Sequence, residues 1–174
     1  MLTVSRMMRC ENILCPRCGS ILKLHGVHRR HCRDSDSVKH YGWVVQGRCV
    51  ACSHYPSILP DFIMPHKHYK TEVIESVVSE SESGRIIEHL GGCAADVSTM
   101  RRWARQFKVR GAVAVGWVLA ILFELYNRHI SALKLKNKKL LELLFSLVQE
   151  LPSAGATTFG AVNIILTTRN CGFL

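Results

Sequence analysis

Carboxylates are scarce in this chain. It carries 13 Asp and Glu against 23 Lys and Arg, and beyond Asp96 only Glu124, Glu142 and Glu150 remain. Two-metal nucleases and transposases hold their ions with several carboxylates, so that chemistry lacks its donor set. No Ser/His/Asp arrangement or glycine-rich phosphate loop takes its place, and the chain reads as a non-enzyme. A secretory apolar segment is also missing from residues 1–10, which carry Arg6 and Arg9. The expected setting is a reducing cytoplasm, close to the nucleoid, where thiols bind metal. Residues 111–123 form the one long uncharged run, 13 residues against the ~20 that a spanning helix needs. Glu124, Arg128 and His129 follow at once, so a buried core helix is expected and no membrane contact. With 5 prolines and 48% hydrophobic residues, the composition excludes a disordered chain.

Cysteine, by contrast, is abundant and patterned. Of eight cysteines, four form the knuckles Cys15-Pro16-Arg17-Cys18 and Cys49-Val50-Ala51-Cys52. A tight Cys-x-x-Cys turn presents two thiolates together, and two such turns complete the tetrahedral four-sulfur set of a closed, structural zinc. A disulfide or unrelated free thiols are the alternative. Gly19 favours the metal, because a residue without Cβ lets backbone amides turn towards the sulfurs. His25, His28, His31 and Cys32 suggest a second site, but strand residues alternate faces. Mixed with Arg29 and Arg30, they read better as a basic polar surface. His54, His66 and His68 read as surface, and Cys10, Cys93 and Cys171 have no partner at metal spacing.

Three regions follow. Residues 1–68 hold six of the eight cysteines and seven of the nine histidines, with strand-like stretches at 21–24, 27–31 and 42–48. A three-stranded zinc ribbon is expected, too small to fold without the metal, which supplies on the order of 10 kcal/mol. Pro60 and Pro65 mark the link to residues 69–110. There the periodicity predicts helices over 69–80 and 84–90, the second closing at Gly91-Gly92, and a third over 97–108 behind an Asp96 N-cap. On that third helix Val97, Met100, Trp103, Ala104 and Phe107 share one arc. Ser98, Thr99, Arg101, Arg102, Arg105, Gln106 and Lys108 cover the other. This predicts a trihelical helix-turn-helix in which Ser98, Thr99, Arg101, Arg102, Arg105 and Lys108 contact double-stranded DNA. An ordinary helix with a solvated basic face has the same pattern. Residues 111–174 predict an apolar helical bundle with a leucine-rich helix at 139–151 and a last segment at 159–166, and a homodimer.

The order Cys-Pro-Arg-Cys-Gly-Ser, Arg-Cys-Val-Ala-Cys, Leu-Pro-Asp-Phe-Ile-Met-Pro and Ser-Thr-Met-Arg-Arg-Trp resembles a bacterial family of small zinc-ribbon plus helix-turn-helix proteins similar to the DNA-binding ends of insertion-sequence transposases. The resemblance covers roughly residues 12–108. It implies DNA binding at mobile-element ends, with a transposase or integrase as partner. The expectation is thus an α+β, mainly α chain: an N-terminal zinc ribbon, a trihelical helix-turn-helix and a C-terminal helical bundle. Its expected function is zinc-dependent DNA binding for a mobile element, in end or target recognition or as a repressor. An adaptor that docks on a transposase or polymerase through the ribbon and C-terminal helices is the alternative.

Overall fold

The computed structural model describes residues 13–131, 136–151 and 159–162. Cys10, Cys171 and the part of the expected last segment beyond 162 lie outside them.

Strands β1 (Leu22–Arg33), β2 (Lys39–Cys49) and β3 (Ser57–Ile58) form an antiparallel sheet in the order β1-β2-β3. The two expected stretches 21–24 and 27–31 are one strand, because the pairing slips between Leu24 and Gly26 and absorbs an extra residue as a bulge. Asp34 builds the turn into β2: its carboxylate accepts the N–H groups of Asp36 and Val38 at 3.1 and 2.9 Å and meets His40 at 2.6 Å. Beyond the sheet the chain is strapped back to β1. The Arg33 N–H donates to the His68 carbonyl and the Lys70 N–H to the Arg33 carbonyl, at 2.7 and 2.8 Å. From the other side the Arg30 guanidinium donates to the carbonyls of Met64 and Lys67, at 3.0 and 3.1 Å.

The helical part departs from expectation. Helix α1 (Thr71–Glu82) forms, but residues 84–90 give only the 3-10 turn Ile87–His89. The left-handed residue lies at Gly84, φ +85°, ahead of that segment, and not at Gly91-Gly92. A single helix α2 runs unbroken over Val97–Tyr126, through both the expected third helix and the expected bundle helix. The trihelical helix-turn-helix and the separate C-terminal bundle are therefore not formed. No proline interrupts α2, and Gly111 is a packing contact instead of a break. A Cβ there would meet Leu140 Cδ2 at 2.7 Å and Phe107 Cε2 at 3.0 Å. The helix ends where Asn127 turns left-handed, φ 48°.

Helix α3 (Leu140–Val148) and the helical residues 159–162 pack on α1 and α2 around one core. Met64, Ile74, Val77, Trp103, Phe107, Leu122, Leu144 and Phe159 are all buried in it. Acids of α1 reach across: Glu82 accepts the N–H of Leu141, in the first turn of α3, at 2.9 Å, and Glu75 accepts the Phe159 N–H at 3.0 Å. The Glu82 contact offsets an orphan donor and the positive end of α3. Two of the four acids of α1 thus join it to other segments, while Glu72 and Glu80 pair locally with Lys70 and Arg85.

Candidate metal centre

The β1–β2 hairpin and the two loops at its open end bring four cysteines together. Cys15 and Cys18 lie before β1, Cys49 ends β2, and Cys52 follows it. Sulfur to sulfur, Cys15–Cys52 is 3.7 Å and Cys18–Cys49 is 3.4 Å, and all four sulfurs fall within 4.8 Å of one another. Zinc–sulfur bonds of ~2.3 Å set tetrahedral edges of about 3.8 Å, so the donors fit that ion in number, softness and spacing. Among the described residues they are the one group of three or more metal-binding side chains within reach of a common ion. His25, His28, His31 and Cys32 form no such group. Cys32 is buried, and its thiol pKa is raised by that burial.

The two knuckles share one backbone design. In the first, the Cys15 N–H donates to the Ser20 carbonyl at 2.7 Å; in the second, the Cys49 N–H donates to the His54 carbonyl at 2.8 Å. Each turn passes through a left-handed residue directly after its second cysteine, Gly19 at φ 74° and Ser53 at φ 54°. Each second sulfur then receives the N–H two residues on, from Ser20 to Cys18 and from His54 to Cys52. His54 therefore acts through its backbone, and no imidazole is needed. The Ser20 N–H, then its hydroxyl and the facing Cys49 and Cys52, bring the Cys18 pKa down to about 6. The His54 N–H lowers that of Cys52, but burial and the three neighbouring thiols outweigh it and push the pKa up to about 12. The amides stabilise negative charge on Cys18, and a divalent cation at the centre would stabilise the other thiolates and relieve the repulsion among the four.

The expected DNA-contacting residues lie apart from this centre, on α2. Asp96 caps the helix by accepting the Ser98 N–H at 2.8 Å, and this contact lowers its pKa. Ser98, Arg101, Arg102, Arg105 and Lys108 are exposed, while Thr99 is half-buried. Arg101 is ion-paired with Glu88. Among the described residues no carboxylate is in ion-pair range of Arg102, Arg105, Lys108 or Arg110. Sequence reading missed Lys67. Its ammonium donates to Gln106 Oε1 at 2.7 Å, and its pKa is lowered by burial and then by Arg102 and Arg110. Nothing local in the sequence links Lys67 to Gln106, 39 positions away.

Residues 15–103 match the family described as a domain of unknown function, DUF6431. The chain belongs to that family. The DUF6431 match begins at the first cysteine of the centre and ends at Trp103, the buried ring that seats α2 on the core. It therefore spans the sheet, the strap, α1 and the capped start of α2. No curated protein and no solved structure matches the chain, and no similarity to a transposase is found.

Proposed function

We propose that this DUF6431 protein is a zinc-stapled DNA-binding protein that meets the duplex with the basic face of α2. What supports the reading is the group formed by Lys67, Arg102 and Arg110, with Arg105 and Lys108 exposed on the same helix, none with a carboxylate partner among the described residues. The Lys67 ammonium, disfavoured by burial and then by Arg102 and Arg110, gains from a polyanion, whose phosphates relieve both the repulsion and the burial cost. Arg101, held by Glu88, is the weaker contributor. In the absence of a helix-turn-helix, the face binds chiefly by phosphate contact and only secondarily by reading bases. Four to five such contacts correspond to a slope of about −4 in log affinity against log salt. Fluorescence anisotropy with a labelled duplex tests this. The double variant R102A/R105A should weaken binding and flatten the slope by about 2; unchanged affinity and slope would refute the assignment. The mobile-element setting rests on the Ser98–Trp103 resemblance alone, and neighbouring genes decide it.

A second reading, self-association or docking on a protein, is favoured by a separate observation. Val109, Val113 and Phe123 leave 69%, 58% and 53% of their surface exposed along α2, and Phe145 of α3 adds 52%. By length and composition alone, Val97–Glu124 is also apolar enough to cross a membrane. Its buried face, Ala114, Val118, Ile121 and Leu122, is already committed to the core, so a second copy of the chain is the occupant proposed for the exposed stripe.

A further inference from the structure

The sheet has a face that neither the metal centre nor α2 uses. Along β1, Arg30 and Cys32 point to the side that receives the strap and the core. Val27, Arg29 and His31 alternate with them and point away. Opposite these, Arg29 pairs with Trp43 and His31 with Tyr41. The strap lays His68 beside His31, rings stacked at 5.8 Å and 18°, and His31 approaches Tyr41 at 6.0 Å. The Arg29 guanidinium lies over the Tyr41 ring at 4.0 Å. A row of rings thus crosses the strap, β1 and β2, with Trp43 and a cation alongside.

Trp43 and Tyr41 each leave 56% of their surface in solvent, although aromatic side chains gain much by burial. Neither β1 nor β2 contains a carboxylate: their sequences are LKLHGVHRRHCR and KHYGWVVQGRC. An uncovered sheet face that carries exposed aromatic rings beside basic side chains, on strands without a carboxylate, complements a partner with flat π-faces strung on an anionic backbone. An apolar protein segment would leave Arg29 and the imidazoles uncompensated, and duplex DNA hides its base faces in the stack.

We infer that this face binds single-stranded nucleic acid, with bases stacked on Trp43 and on the Arg29 guanidinium that lies over Tyr41, and phosphates held by the His31–His68 pair. The inference is independent of the α2 reading, since it uses other residues, another surface and another form of nucleic acid. Successive same-face positions on a strand lie about 6.7 Å apart, which matches splayed bases better than the continuous stack of a duplex.

The test uses the full zinc-loaded chain with fluorescein-labelled 12-mers of oligo(dU) and oligo(rU), which differ only in the sugar, and a duplex for comparison. Trp103 is buried and Trp117 half-buried, so quenching of the exposed indole reports on Trp43. W43A should lose about tenfold or more in single-strand affinity and keep its duplex affinity, while W43F recovers most of the loss by restoring a stacking ring. R102A/R105A should leave single-strand affinity within about twofold. A difference between the two 12-mers identifies which sugar is preferred; binding of either supports the inference. No binding to either 12-mer, W43A at parental affinity, or W43F as weak as W43A would overturn it. Loss on R102A/R105A with none on W43A would assign the single strand to α2 instead.

Discussion

The sheet and the helices achieve stability by different means. In the helical part, Trp103, Phe107, Leu122, Leu144 and Phe159 share a core, and burying each such side chain contributes on the order of 1.5–3 kcal/mol. The sheet buries far less: Val44, Val45 and Cys49 are covered, but Leu24, Val27, Tyr41 and Trp43 are open. Its open end is closed by four sulfurs where a larger domain would place side chains. One region should thus persist through loss of metal and fail with a packing error, and the other the reverse. The Arg30 strap to Met64 and Lys67 is the joint across which that contrast can be broken.

The largest effect expected is from chelation. Removing zinc should expose the amides of β1, β2 and both knuckles to hydrogen exchange and leave those of α1 and α2 protected, because the metal's binding energy is folding energy for the ribbon. Equal deprotection everywhere would mean that the strap couples the two regions into one cooperative unit. Gly111→Val probes the other side. Its new side chain meets Leu140 and Phe107, and overpacking of this kind costs about 1–3 kcal/mol, read as a lower melting temperature of the helices with zinc content unchanged. Loss of zinc from that variant would again join the regions. The smallest effect sharpens the comparison within the ribbon. Ser53 adopts the left-handed turn that Gly19 adopts in the other knuckle, and a non-glycine residue there costs about 1 kcal/mol. Ser53→Gly should therefore raise zinc affinity several-fold, seen in competition with a chromogenic chelator; an unchanged or lower affinity would show the turn to be unstrained.

What could be read from the sequence follows the range of the interactions. The clustering of the four cysteines was legible because each knuckle is four residues long and two knuckles together make a four-sulfur set. The Asp96 cap and the buried arc of Met100, Trp103 and Phe107 were legible for the same local reason. The helix-turn-helix was not: it needed a helix over 84–90, where only the 3-10 turn Ile87–His89 forms, and a third helix ending near Lys108, where α2 runs on through Gly111. Only the approach of Leu140, 29 positions later in the chain, reveals that glycine as a contact. The Gly91-Gly92 pair misled in the same way: it looked like a cap, whereas the helix before it had already closed at Gly84. Lys67 was missed because its neighbours Gln106, Arg102 and Arg110 are supplied by tertiary structure. The aromatic face needed the β1–β2 register to set Trp43 against Arg29 and Tyr41 against His31.

The central claim is that Cys15, Cys18, Cys49 and Cys52 close the ribbon around one metal ion. Native mass spectrometry of the purified chain tests it most directly, beside the Cys49→Ser variant. The account predicts one zinc per parental chain and loss of that zinc in the variant. A parental chain without zinc after expression in zinc-replete medium, or a Cys49→Ser chain that keeps a full equivalent, would contradict it.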